Sequence, residues 1–410
     1  MSPPRAECAG LDAVDPLATS RELFTLPPGV IYLDGNSLGP LPRATPARLA
    51  EVAEREWGQG LITSWNRAGW IDLPARVGEK IARLIGAGPG QVVVADSTSV
   101  NLFKVLAGAL ALAPGRRVIV SEPENFPTDL YIMQGLIELL GGGPSLRLVP
   151  PGEIPAALDA DTAVLALTHV NYRSGAMHDM AALTRLAHAR GALAVWDLSH
   201  SAGAMPLDVA GADVDFAVGC GYKYLNGGPG APAFAYAAAR HHASVRQPLS
   251  GWLGHAAPFA FEPAYRPAPG IARLICGTPP VLSLAALEVG VDIALGCDLA
   301  EVRRKSMRLT DLFVELVESR CPALDLLSPR DGHVRGSQVS FRHPHGYAIM
   351  QALIARGVIG DFRAPDILRF GLAPLYLRYA DVWDAVAILA EVLDSGAWDR
   401  PEFHARQAVT

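Results

Sequence analysis

From residue 72 to about 296 the chain alternates short apolar runs with longer segments of helical period. The apolar runs fall at 91–95, 116–121, 162–168, 192–197, 213–218 and 231–236. Their length and β-branched content are those of strands buried on both faces. Helical segments lie at 74–85, from 96–101 onward, up to 140, at 179–190 and at 281–295. This alternation predicts an α/β fold, a mostly parallel sheet covered by helices on both sides. An irregular stretch, 248–269, interrupts it and reads as a functional loop. After 296 the pattern changes to a charged helix (299–319), a strand (337–342), a helix (347–356), strands at 358–362 and 368–372 and a helix at 381–393. That is a small α+β domain. Ahead of the large domain lie a short helix (15–26), a strand (30–33), a turn-rich loop (34–40) and a helix (45–57). The division expected is an N-terminal arm, 1–60, belonging with the small domain, then a large domain, 61–296, a small C-terminal domain, 297–398, and a loose tail, 399–410.

Composition narrows the partners. Half of the 410 residues are hydrophobic and 19% are charged, so the chain is globular with little disorder. A formal charge of -6 with scattered basic residues argues against nucleic acid and anionic membranes. The five cysteines, Cys8, Cys220, Cys276, Cys297 and Cys321, are irregularly spaced with no Cys-x-x-Cys pair. They read as free thiols in a reducing compartment rather than as a structural zinc site. The first residues lack the apolar segment of a secretory signal, and no apolar run approaches a membrane span. A cytoplasmic protein is expected.

Candidate chemistry begins at Lys223, in Gly221-Tyr222-Lys223-Tyr224-Leu225-Asn226-Gly227-Gly228, between an apolar run and a glycine-rich turn. A lysine at the end of a buried strand can lose solvation and have its pKa lowered, which suits Schiff-base formation. A lysine beside a glycine turn can equally be a solvated side chain. Asp197 strengthens the first reading, because it ends an apolar run and the C-terminal ends of parallel strands are where α/β ligands sit. Pyridoxal 5′-phosphate (PLP) needs a lysine for its aldehyde and a carboxylate for its protonated ring nitrogen. Thr98 and Ser99 stand at a strand-to-helix junction that could hold a phosphate or simply cap the helix. Phe126 could stack on a ring or pack in the core. His200 lies three residues beyond Asp197, and Trp65 and Trp70 could be packing anchors or substrate platforms.

Several motifs together resemble the kynureninase family: the loop 33–39, Ser64-Trp65-Asn66, Ser99-Val100-Asn101, Phe126-Pro127-Thr128-Asp129, Asp197-Leu198-Ser199-His200, Tyr222-Lys223-Tyr224 and Leu368-Arg369-Phe370. The resemblance runs over 32–393. It implies fold type I, the aspartate-aminotransferase-like fold, with a seven-stranded, mostly parallel sheet and a smaller α+β domain. It implies PLP on Lys223, Asp197 at the ring nitrogen, and Phe126 stacked on the ring. Thr98 and Ser99 hold the phosphate in this reading, with Tyr222 and the partner subunit's Trp252 and Thr278. Asp129, Thr168 and His200 lie against the ring and its 3′-oxygen. Arg369 clamps the substrate α-carboxylate, because a guanidinium fork matches a carboxylate bidentately. Asn36, Trp65, Gly277 and Thr278 line the substrate side. Ser99 departs from the family's usual threonine, keeping the hydroxyl and losing the methyl group.

The reaction so implied is hydrolysis of L-kynurenine to anthranilate and L-alanine by a homodimer, with Lys223 as Cα base and Tyr222 as the acid that protonates Cβ. Trp65, Gly277 and Thr278 match the bacterial form, which prefers kynurenine to its 3-hydroxy analogue. The alternatives are a cysteine desulfurase or β-lyase of the same fold, and a catalytically idle PLP-binding scaffold. Cys321, before Pro322 at a helix end, is a poor mobile nucleophile for a desulfurase.

Overall fold

The computed structural model describes residues 3–407. The chain forms two compact units. One contains Thr45–Asn171 and His178–Leu295; the other contains the described residues up to Ala44, Tyr172–Met177 and those from Gly296 on. The expected junction at 60/61 therefore falls at 44/45, because the helix Thr45–Glu51 packs against Val281–Leu295 of the larger unit. The segment Tyr172–Met177 also leaves the larger unit, with Gly175 accepting from Gly336 N and Met177 donating to Val334.

The larger unit is built on the expected seven-stranded sheet. Its order is Val92–Val94, Phe234–Ala237, Phe216–Gly219, Leu193–Asp197, Thr162–Thr168, Val118–Ser121 and Ser145–Leu148. Phe234–Ala237 is antiparallel to both of its neighbours, and the remaining pairs are parallel. All seven residues of Thr162–Thr168 are buried, as a strand covered on both faces requires. The helices Thr98–Leu112 and Pro127–Leu139 supply Leu102, Val105, Leu106, Met133 and Leu136 to one core with Ile119, Val164, Val195 and Phe216. Helix Leu73–Ile85 approaches the sheet edge so closely that a Cβ on Gly78 would lie 2.3 Å from the Val92 carbonyl oxygen. Only glycine fits there. Parallel register brings Thr168 opposite Asp197, and Asp197 opposite Val218, so one edge collects the residues that follow these strands.

The smaller unit has the expected α+β form. Its antiparallel sheet runs Asp325–Leu326, Gln338–Arg342, Ile367–Gly371 and Asp361–Arg363. Helices Leu299–Arg320, Gly346–Ile354 and Tyr379–Asp394 belong to the same unit. Ile31–Tyr32 pairs in parallel with Val358–Ile359. A buried ion pair, Lys305 Nζ to Asp15 Oδ2 at 2.6 Å, holds the N-terminal segment to the charged helix.

Three local expectations differ. The helix expected at 15–26 is a 3₁₀ segment, Ala18–Leu23, followed by the strand Phe24–Thr25. The α-helix lies earlier, at Arg5–Ala13; its only buried residue is Cys8, so it carries little apolar period to read. Asp12 at its end accepts from Tyr379 N and Ala380 N, capping a helix distant in sequence. Ser145–Leu148 is an unanticipated strand, half-exposed at the sheet edge and carrying Arg147. Of the tail expected at 399–410, residues 408–410 lie outside the described residues; in the rest Pro401–His404 is helical, Tyr347 Oη donates to Ala405 O, and the Arg406 guanidinium lies 4.4 Å from the Tyr347 ring.

Candidate active site

In the larger unit Lys223 follows the strand Phe216–Gly219 and is half-buried. Its Nζ lies 2.9 Å from His200 Nε2 and 5.9 Å from the ring centroids of Phe126 and Tyr222. Asp197 closes the neighbouring strand; its Oδ1 accepts from Ser199 N at 2.6 Å. Asp129, in the first turn of Pro127–Leu139, is buried beside it. Burial raises both carboxyl groups. Asp129 rises well above the usual range, because the charge of Asp197 opposes its own ionisation as well. A hydrogen bond between the two side chains raises Asp129 further and works against the rise of Asp197. Thr168 Oγ1 is 3.3 Å from Asp129 Oδ2 and also donates to Asn125 Oδ1. Burial pushes the Tyr222 phenol above its ordinary range, with Cys220 and Asp197 adding to the effect.

Thr98 and Ser99 are the first residues of helix Thr98–Leu112. Ser97 caps it, with Oγ accepting from Val100 N at 3.3 Å. Thr98 Oγ1 is buried and has no hydrogen-bond partner among the described residues. A hydroxyl orphaned at a positive helix end is suited to an anion. A cavity of about 410 Å³ adjoins this end, lined by Ser97, Tyr222, Cys276, Gly277 and Thr278 among others. Thr278, expected from a partner subunit, thus shares a cavity with Tyr222 within one chain. Behind it Lys104, fully buried, pairs with Asp96 at 2.7 Å. Trp252 is 39% exposed and sits edge-on to Phe259; it is not among the residues lining that cavity. Trp65 packs edge-on to Trp70 at 6.0 Å. A buried carboxylate for a ring nitrogen, an exposed aromatic face at Phe126, a strand-end lysine and an orphaned hydroxyl at a helix N-terminus fit PLP.

In the smaller unit Arg369 is 2% exposed on the strand Ile367–Gly371. Its Nε donates to Asp361 Oδ1 at 2.9 Å and its Nη2 to Asp361 Oδ2, a bidentate pair. Nη2 also reaches Ser37 Oγ, and Nη1 the Tyr172 carbonyl, each at 2.7 Å. Arg363 Nη2 reaches Asp361 Oδ2 at 2.6 Å. Burial alone would raise Asp361, but the two guanidinium groups hold it below its usual range. Asn36 is fully buried; its Nδ2 faces Gln338 and its Oδ1 has no partner among the described residues. A Cβ on Gly371 would lie 2.0 Å from that oxygen, so a side chain there would displace Asn36.

The sequence reading gave no role to Asp34, Asp361 and Arg363 around Arg369, or to Asn125 beside Thr168; Ser37 lies in the loop 33–39 that it did single out. The alternation Asp361, Arg363 on one strand face was a signal for two of them.

Comparison with known proteins places the chain. A family model described as the kynureninase C-terminal domain matches residues 302–389. The chain is 59% identical over 413 residues to a kynureninase of Burkholderia pseudomallei (strain 1106a), covering 99% of each. It is 58% identical, with the same coverage, to a kynureninase of Pseudomonas fluorescens. Among solved structures, a cysteine desulfurase from Thermococcus onnurineus NA1 superposes with a TM-score of 0.78 at 19% identity, covering 92% of this chain and 98% of that one. A mutant of C-DES with glycine covalently linked to its PLP cofactor gives 0.77 at 18% identity, covering 95% and 100%. Likeness at that identity speaks for the fold, which is the expected fold type I. End-to-end identity near three-fifths goes further than fold, and on it this chain belongs to the kynureninase family.

Proposed function

We propose that this chain hydrolyses the Cβ–Cγ bond of L-kynurenine, giving anthranilate and L-alanine, with 3-hydroxykynurenine the poorer substrate. The observation that carries the site reading is Lys223 Nζ, between the Phe126 and Tyr222 rings and 2.9 Å from His200, at the sheet edge that also presents Asp197. PLP, when bound, supplies an aldehyde to capture the substrate amine and a ring that accepts the Cα electrons.

The chain's residues do the rest. Asp197 would pair with the ring nitrogen, with Asp129 hydrogen-bonded to it and Thr168 against Asp129. Thr98 and Ser99 offer hydroxyls and helix N-terminal N–H groups to the phosphate, with Tyr222 and Thr278 on the adjoining cavity wall. Lys223 would be the base that takes the Cα proton. Water adds to the γ-carbonyl; as the Cβ–Cγ bond breaks, Cγ leaves as the anthranilate carboxylate and Cβ gains a proton. Tyr222 is the donor, its ring lying 5.9 Å from Lys223 Nζ. Arg369 takes the substrate α-carboxylate, with Asn36 beside it and Trp65 and Gly277 on the aryl side. A desulfurase role is disfavoured by Cys321, which is buried with its thiol pushed up to about 12.

The same reading includes a cytoplasmic homodimer. It is supported by five unpaired thiols and by exposed apolar side chains at Trp57, Trp252, Phe259 and Leu282, which a second copy could cover, Trp252 entering its cofactor cradle.

Purified, PLP-loaded protein given L-kynurenine at neutral pH should consume its absorbance and release anthranilate fluorescence. Absence of turnover would overturn the reading. Lys223→Ala should abolish both turnover and the visible Schiff-base band; a band that persists places the anchor elsewhere.

A further inference from the structure

The carboxylate cluster of the smaller unit holds a fourth charged group that the clamp itself does not use. Asp34 forms a backbone bridge with Gly371, two residues from Arg369. Its Oδ1 is buried with no hydrogen-bond partner among the described residues, as is the fully buried Asn36 Oδ1. Asp361, by contrast, accepts from Arg369, Arg363 and Ser37. With both acids ionised, Asp34 and Asp361 cancel Arg363 and Arg369. An arriving α-carboxylate then gives a buried site one net negative charge and sets three anions against two cations, which desolvation makes costly. If Asp34 takes up a proton the sum returns to zero. Protonated, it also becomes a donor in a cluster whose other orphaned acceptor is Asn36 Oδ1. Among the described residues, the ionisable groups that act on it are Asp361, Arg369 and Arg363, and it acts in turn on the Tyr32 phenol. Tyr32 is held protonated, since burial raises it with Asp34 and Asp361 adding, and its ring lies 6.2 Å from that of Tyr376.

We propose that Asp34 is the proton-linked residue of the α-carboxylate subsite, taking up one proton as the substrate carboxylate enters, so that the carboxylate replaces its charge against Arg369 and Arg363. This rests on the reading of Arg369 as the carboxylate clamp. Burial, reinforced by Asp361, pushes Asp34 up to about 7, so the linkage falls in the working range of pH. Binding of a carboxylate is then independent of pH below that value and weakens above it, by up to tenfold per pH unit for one proton.

The test uses two inhibitors without a cleavable γ-carbonyl, L-homophenylalanine and its carboxylate-free counterpart 3-phenylpropylamine. The ratio of their inhibition constants, amino acid over amine, isolates the carboxylate from effects at the amine. In the wild type this ratio should be flat and low in acid and rise with pH above neutrality. Asp34→Asn, a neutral isostere, should keep it low and flat. Arg369→Gln should raise it at every pH. A flat wild-type ratio that Arg369→Gln still raises overturns the role of Asp34 and leaves the clamp. A ratio that Arg369→Gln does not raise overturns the clamp and this proposal with it. If Asp34→Asn does not fold, the wild-type profile alone decides.

Discussion

Tyr222 shows how one residue acquires a role from its surroundings. Its ring centroid is 5.9 Å from Lys223 Nζ, and its phenol, raised by burial, keeps its proton throughout the range where kynurenine cleavage would be assayed. A donor that is protonated and adjacent to the lysine can serve Cβ without serving the cofactor linkage. Tyr222→Phe should therefore keep the Schiff-base band and change KM little, while kcat falls by about 10²–10⁴-fold, the usual scale of general acid catalysis. Unchanged kcat would remove Tyr222 from the proton path. Nothing in the residue alone announces this. Tyr224, two positions on, is buried and its backbone accepts from Asn226 Nδ2, a packing environment with no exposed proton to give.

At the scale of elements, Asp215 ties together the two strands that lead to the cofactor residues. It precedes Phe216–Gly219 and accepts from Ala194 N on Leu193–Asp197 at 2.7 Å. His188 Nε2, His241 Nε2 and Arg240 Nη2 reach the same 1%-exposed carboxylate, each at 2.7 Å. Burial would raise Asp215, but these donors outweigh it and hold the group below the usual range. His188 is raised, chiefly by its hydrogen bond to Asp215. The signs define a window. The contribution of Asp215 is present above the ordinary carboxylate value of 3.8 and lost as pH falls through its lowered pKa. The contribution of His188 is present below 6.5 and lost as pH rises through its raised pKa. Asp215→Asn should thus destabilise by about 3–5 kcal/mol near pH 5.5, as breaking a buried pair does, and by less at pH 9. Denaturant titrations at the two pH values measure it; an equal cost at both would take His188 out of the cluster.

For the molecule as a whole, a cofactor that binds only the folded chain adds stability by mass action, about 2.7 kcal/mol at a hundredfold excess over its Kd. Stripping PLP should lower Tm in a concentration-dependent way. Thr98→Val, which removes the orphaned hydroxyl, should weaken PLP binding by about tenfold or more and shrink that Tm shift, since a hydrogen bond to a charged group is worth about 1.5–3 kcal/mol. A full shift in the variant would show that Thr98 does not touch the phosphate.

Local pattern alone was enough for the large sheet and for part of the site. Thr162–Thr168 and Val281–Leu295 have the bounds expected from their apolar runs; for the strand the reason is that an element buried on all sides must be apolar throughout. Asp197 and Lys223 were legible for the complementary reason: a charge that ends a buried strand interrupts such a run. The half-exposed strand Ser145–Leu148 and the polar helix Arg5–Ala13 bury too little to impose a period. What only the tertiary structure decided are relations between distant residues. These are the coupling of the buried carboxyl groups of Asp129 and Asp197, the orphaned hydroxyl of Thr98, and the meeting of Asp34, Ser37, Asp361 and Arg369. Each depends on burial and on proximity between residues far apart in the chain, and the free energy of a charge is set by its surroundings in space, which linear order does not record.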